Sequence, residues 1–137
     1  NIGACSLGGA AFALDTAKEY MGGRKQFGSP LKDFQALQFK IADMATDLEA
    51  ARLMLHRGAW AIDSNHPRKT EYCAMAKRFA TDACFDAANQ ALQIHGGYGY
   101  LKDYPLERIV RDLRVHQILE GTNEIMRVII GREQFRQ

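Results

Sequence analysis

A chain of 137 residues with 47% hydrophobic and 25% charged residues is long enough for one domain with a sizeable core. Its net charge of +2, with bases interleaved among acids, argues against nucleic acid or an anionic membrane as a partner. The three cysteines, Cys5, Cys73 and Cys84, are odd in number and lack CxxC spacing, so small core or surface thiols in a reducing compartment fit better than a disulfide framework.

No stretch approaches the roughly 20 continuous apolar residues of a membrane span. The chain starts at Asn1 inside an apparent helix, with neither an initiator methionine nor a basic leader. It reads as a piece of a longer protein.

Gly3, Leu7, Ala10, Leu14, Ala17 and Met21 recur at spacings of four and three, the stripe of an amphipathic helix that ends at Gly22-Gly23. Residues 24–32 read as a loop punctuated by Gly28 and Pro30, in which Phe27 needs a cover. A long helix is predicted over 33–63, with Phe34, Leu37, Ile41, Met44, Leu48, Ala51, Leu55 and Ile62 on one face. A turn at 63–67 leads to a third helix over 68–94. Its stripe of Cys73, Ala76, Ala80, Ala83, Ala87, Ala91 and Ile94 implies closely spaced neighbours. Gly96, Gly97 and Gly99 stop it.

Pro105 can open a short helix to about 113. A last helix is predicted over 122–135, with Thr122 as N-cap and Glu124 in the first turn. No period-two alternation is convincing, and there is no internal repeat. The fold class is all-α: an up-down, four-helix-like bundle of three long and two shorter helices.

Four groups of residues are candidates for chemistry. Glu120 follows Ile118 and Leu119, so its surroundings are expected to be apolar, and burial would suit its carboxyl to act as a base. Gly121 would allow a ligand close. The competing reading is a carboxylate stabilised by the dipole of the last helix. Gln93, Gly96 and Gly97 belong to a glycine cluster able to expose N–H groups to phosphate, or merely to make a tight turn between helices. It is neither a dinucleotide fingerprint nor a Walker loop. Arg24 and Gln26 suit phosphate or nucleotide oxygens, and Phe27 a ring face or a core. Arg108, Arg111, Asp112, Arg114 and His116 either hold salt bridges, the default expectation, or line a surface. The histidines lack the spacing of a metal site, and no metal is inferred.

Taken together, these segments resemble the acyl-CoA dehydrogenase family, specifically its C-terminal helical domain, across essentially the whole of residues 1–137. The resemblance is carried by Arg24-Lys25-Gln26-Phe27-Gly28, Phe34-Gln35, Ala42-Asp43-Met44-Ala45, Ala76-Lys77 and Gln93-Ile94-His95-Gly96-Gly97-Tyr98-Gly99-Tyr100. It continues through Tyr104-Pro105, Arg111-Asp112 and Leu119-Glu120-Gly121-Thr122-Asn123-Glu124-Ile125.

The resemblance implies a parent with an N-terminal helical domain, a middle β-barrel and this C-terminal bundle. It implies FAD between the last two, and a homotetramer built as a dimer of dimers. Arg24, Gln26 and Phe27 match positions that reach the partner subunit's FAD. Gln93, Gly96 and Gly97 also match FAD positions, and Thr122 and Glu124 match the nucleotide end. Glu120 matches the catalytic base, with Glu120 and Gly121 at the substrate. The implied reaction is α,β-dehydrogenation of an acyl-CoA, with a short branched chain, isobutyryl-CoA, favoured and valine breakdown as the setting. Glu120 takes the pro-R α-proton, and the β-hydrogen leaves as hydride to flavin N5. The Glu120 N–H and a ribityl hydroxyl polarise the thioester carbonyl, and electrons pass on to an electron-transfer flavoprotein.

The family arginine that helps hold CoA would lie just before Asn1, and the barrel is absent. The 137 residues alone are therefore expected neither to hold FAD tightly nor to turn over. Mitochondrial matrix and bacterial cytoplasm both fit. The alternatives are a non-catalytic dimerisation module and an acyl-CoA oxidase. A nitroalkane oxidase, which uses aspartate at the position of Glu120, fits less well.

Overall fold

The computed structural model describes residues 1–136. They form an all-α, mostly up-down bundle of five α-helices: α1 (Ile2–Gly23), α2 (Gln35–Asp63), α3 (Lys69–His95), α4 (Leu106–His116) and α5 (Asn123–Gln134). Helix bounds agree with the sequence periodicity to within three residues.

Helix α3 is the axis of the bundle and touches all four others. Composition explains this. Ala74, Ala76, Ala80, Cys84, Ala87, Ala88 and Ala91 are buried on it, as are Tyr72, Thr81 and Ile94. Buried residues occupy nearly its whole circumference, which marks a central rather than a surface helix. Small side chains meet it from α1, where Ala10, Ala13 and Ala17 are completely buried. Close helix–helix approach follows from these alanines. Gly3 is the tightest point, since a Cβ there would sit 2.6 Å from Leu55 Cδ2. The remaining core is filled by Met21, Met44, Leu48, Leu106, Ile109 and Leu113.

Three sequence expectations are corrected here. Ile62 was expected on the inner face of α2, but it is 58% exposed, and Gly58 and Ala61 are buried in that stretch. α1 begins beside Leu55, where Gly3 meets it, and the last turns of α2 run past that point, with Gly58 packed against Cys73 and Ala76 of α3. Second, the loop at 24–32 contains a small antiparallel ladder of β1 (Lys25–Gln26) and β2 (Ser29–Pro30), with Lys25 opposite Pro30 and Gln26 opposite Ser29. Phe27 (φ 52°) and Gly28 (φ 84°) make its two-residue turn, the positive-φ pair that a type I′ hairpin uses. Third, Phe27 is not covered: it is 93% exposed, and its ring lies edge-on to Phe34 with centroids 6.3 Å apart.

A 3₁₀ turn (Gly96–Tyr100) continues directly from α3 rather than opening into loop. Gly99 permits this, because a Cβ there would lie 2.6 Å from the Leu92 carbonyl oxygen. Two polar locks close the bundle. Ser6 Oγ lies 2.8 Å from His116 Nδ1, joining α1 to α4. The buried Glu71 carboxylate accepts two hydrogen bonds from Arg68 and one from Gln134, tying the end of α5 to the start of α3. Arg68 holds the Glu71 carboxyl below its ordinary value. Among the described residues no helix is long and apolar enough to cross a membrane.

Candidate active site

The candidate residues fall into two groups at different places along α3. The first group lines a cleft of about 490 Å³ between the end of α1, the β1–β2 hairpin and the C-terminal end of α3. Arg24, Gln26, Gln93, Gly96 and Gly97 all line it, together with Tyr20, His95 and Tyr98. Two segments separated by some seventy positions in the chain thus converge on one concavity. Phe27 stands outside, at the hairpin tip.

The chemistry of the cleft is that of an anion and ring site. The Arg24 guanidinium lies 5.5 Å from the Tyr98 ring centroid and has no carboxylate partner among the described residues. Such a guanidinium is available for two parallel hydrogen bonds to a phosphate. A Cβ at Gly96 or Gly97 would meet nothing within 4 Å, so the backbone there is open to close approach. Tyr20, His95 and Tyr98 give the cleft aromatic rings, and Tyr104 packs behind them, edge-on to Tyr20 and His95. An unpaired guanidinium, two amides and open glycine backbone beside aromatic rings fit a dinucleotide such as FAD.

His95 was not singled out from sequence. It is 3% exposed, and its Nδ1 lies 2.9 Å from the Ala91 carbonyl. Burial pushes its pKa below the ordinary 6.5, partly opposed by that hydrogen bond. Its position inside the Gln-Ile-His-Gly-Gly run was the available signal.

The second group lies where α4 passes into α5. Lys77, which anchors it, precedes Gln93 on α3 by sixteen residues, about 24 Å at 1.5 Å per residue. Glu120 sits here with φ 54°, followed by Gly121 at φ 89°. Contrary to the expectation of burial, Glu120 is exposed, and so are Ile118 (50%) and Leu119 (42%). The chain leaves α4 at the rim of the bundle, and no described segment lies over these side chains. Neither the Glu120 N–H nor the Gly121 N–H has a hydrogen-bond partner among the described residues. Glu120 stands two residues before the N-cap of α5. That cap is Thr122, whose Oγ1 accepts from the Ile125 N–H at 3.4 Å. Glu124 is in the first turn and is paired with Arg127 at 3.7 Å.

Beneath this exposed turn is a polar network that the sequence reading did not recognise. Lys77 Nζ donates to the Gly121 carbonyl at 2.8 Å and to Asn123 Oδ1 at 2.7 Å. It also reaches the Gln117 carbonyl at 3.5 Å. The buried Asn123 amide donates to Thr81 Oγ1 at 2.9 Å and Asp82 Oδ1 at 2.7 Å, and Gln117 Nε2 donates to the same Asp82 oxygen at 2.8 Å. Burial pushes the Lys77 pKa down, opposed by Asp82, Glu120 and Glu124. A signal existed: Lys77 and Thr81 are polar residues at i and i+4 on an otherwise alanine-lined helix.

Arg108, Arg111, Asp112 and Arg114 form none of the ion pairs found among the described residues, against the salt bridges expected for them. They lie along the solvent side of α4. The exception to isolation in that group, His116, bonds Ser6 instead.

The family model described as acyl-CoA dehydrogenase, C-terminal domain, matches residues 1–135. The chain is 57% identical over 133 residues to a mitochondrial isobutyryl-CoA dehydrogenase of Dictyostelium discoideum, covering 97% of this chain and 32% of that protein. It is 53% identical over 137 residues to the mitochondrial isobutyryl-CoA dehydrogenase of Bos taurus, covering 100% and 33%. Its fold superposes on butyryl-CoA dehydrogenase of Megasphaera elsdenii with a TM-score of 0.95 at 41% identity, covering 98% of this chain and 35% of that one. The chain thus spans about a third of the length of the curated relatives it matches. By the family match over residues 1–135 and the shared helical fold, the chain belongs to the acyl-CoA dehydrogenase family, as its C-terminal domain.

Proposed function

We propose that the protein to which this domain belongs dehydrogenates a short branched acyl-CoA, isobutyryl-CoA being favoured, across its α,β bond, with Glu120 as the base. The observation that carries this reading is the Glu120 turn. A carboxylate and an unpartnered N–H of the same residue are presented together at a bundle rim edged by exposed apolar side chains. The likeness to the two isobutyryl-CoA dehydrogenases supports the branched substrate and valine breakdown as its setting.

In this reading the Glu120 carboxylate takes the α-proton of the thioester. The Glu120 N–H donates to the thioester oxygen as negative charge develops there, and its lack of an internal partner leaves it preorganised for that role. Ile118 and Leu119 exclude water once the rest of the protein covers them. FAD, when bound, supplies the two-electron acceptor. Arg24 and Gln26 from the cleft, and Phe27 from the hairpin tip outside it, reach the FAD of the partner subunit, while Gln93, Gly96 and Gly97 offer FAD contacts along the cleft. Thr122 and Glu124 bind the nucleotide end of the FAD beside Glu120. The separation of about 24 Å along α3 supports this division between two flavins and hence a homo-oligomer, a dimer of dimers. The electron-transfer flavoprotein takes the electrons onward, in the mitochondrial matrix or a bacterial cytoplasm.

The test is anaerobic mixing of the full-length protein, wild type and Glu120→Gln, with isobutyryl-CoA, following flavin absorbance near ~450 nm. Fast bleaching in wild type, lost in the variant with FAD still bound, is the expected result. Bleaching only with another acyl-CoA moves the substrate. Equal bleaching in both proteins overturns Glu120 as base. Peroxide production would favour an oxidase, and a flavin-free dimer a non-catalytic module.

A further inference from the structure

We propose that Lys77 is a positioning residue for Glu120: its ammonium, bonded to the Gly121 carbonyl and Asn123 Oδ1, fixes the turn that aims the Glu120 carboxylate and N–H. The proposal rests on Glu120 acting as the base.

The geometry is specific. Glu120 and Gly121 are consecutive residues at positive φ. For a glutamate that conformation is unfavourable by about 1 kcal/mol or more and persists only when neighbours over-determine it. Among the described residues Lys77 is the only donor to the Gly121 carbonyl, at 2.8 Å. Asn123, two residues further on, is 3% exposed and is gripped by Lys77, Thr81 and Asp82 together. Gln117 closes the turn from the other side, its carbonyl accepting from the Asn123 N–H at 3.0 Å and its amide bonding Asp82. The whole turn is therefore referenced to one face of α3. Glu120 itself projects from it with no described partner of its own. A cation on α3 that touches the backbone on the C-terminal side of Glu120, and not the glutamate side chain, holds the base without neutralising it by contact.

Loss of Lys77 should let Glu120 relax toward right-handed backbone angles. A displacement of about 1 Å at a reacting group costs on the order of a hundredfold in rate. The experiment is a double-mutant cycle in the full-length holoenzyme: wild type, Lys77→Met, Glu120→Gln and the double variant, with Lys77→Gln replacing Lys77→Met should the latter not fold. The expected result is a kcat lowered on the order of 10²-fold in Lys77→Met, with KM within about threefold. In the Glu120→Gln background the same change should cost less than about twofold, because the two residues act as one unit. Hydrogen exchange at the Leu119 and Asn123 amides, which are bonded to the Val115 and Gln117 carbonyls, should accelerate, a readout independent of turnover. Multiplying losses, a loss carried by KM or FAD content alone, or unchanged exchange overturns the proposal. Wild-type turnover by Glu120→Gln sinks the base assignment and this proposal with it. Loss in Glu120→Gln beside unchanged kcat in Lys77→Met sinks this proposal alone.

Discussion

The imidazole of His95 stacks on the phenol ring of Tyr20, with centroids 4.1 Å apart and planes 22° from parallel. Tyr20 comes from the last turn of α1 and His95 from the last residue of α3, so the stack welds the two helix ends that wall the cleft. The Tyr20 hydroxyl also donates to the His95 carbonyl, at 3.5 Å.

Burial disfavours the imidazolium at this stack, so the folded pKa of His95 lies below its ordinary 6.5. The sign follows from linkage. The unfolded chain binds more protons between the two values, so the contribution is fully present above about 6.5 and is lost as pH falls through the folded pKa. The melting temperature of the chain should therefore drop between about pH 7 and pH 5, and His95→Phe should flatten that slope. An unchanged slope would place the pH dependence elsewhere.

Glu120 at φ 54° predicts a separation of stability from function. Glu120→Gly should stabilise the chain by about 1 kcal/mol, since glycine accepts this region without the Cβ penalty. Glu120→Ala, which keeps the Cβ, should not. Denaturant midpoints of the two variants decide it, and equal midpoints would mean that the turn is unstrained.

Two neighbouring glycines should respond in opposite ways. At Gly99 a Cβ would stand 2.6 Å from a backbone oxygen that cannot move aside. Gly99→Ala is expected to cost about 1–3 kcal/mol, the usual range for overpacking. At Gly97 nothing lies within 4 Å, so Gly97→Ala should leave the melting temperature nearly unchanged. In the full-length protein it should instead weaken FAD retention, measured as the flavin-to-protein absorbance ratio. A Gly97→Ala protein with undiminished flavin would mean that the cofactor does not approach that backbone.

The 137 residues by themselves should not retain FAD. The cleft supplies one guanidinium and two amides on an open surface, and the Glu120 turn lies about 24 Å away along α3. Gel filtration of the isolated chain mixed with FAD checks this, and co-eluting flavin absorbance would contradict it.

Much of the architecture was legible because the helices obey one rule. The alanine-rich spacing of α3 and the alternating fours and threes of α1 each correspond to a buried face. Local punctuation was equally readable: Thr122 caps, and Gly96 ends α3. What escaped was everything that depends on a partner distant in sequence. Ile62 has the right period but extends past its neighbouring helix. The Lys77–Gly121 and Lys77–Asn123 bonds join residues more than forty positions apart. Phe27 and Glu120 were assigned covers that the rest of the chain does not provide. The hairpin at Lys25–Pro30 was missed because two residues per strand are too few to display an alternation.

Because Lys77 and Gln93 ride on one unbroken helix, the two ends of the domain are locked in angular phase as well as in distance. Deleting or inserting a single residue between them would turn one end by about 100° relative to the other and shift it by only about 1.5 Å. Substitutions within that span change packing, but changes of length would swing the cleft away from the Glu120 turn. The interval should therefore tolerate variation in composition far better than variation in count.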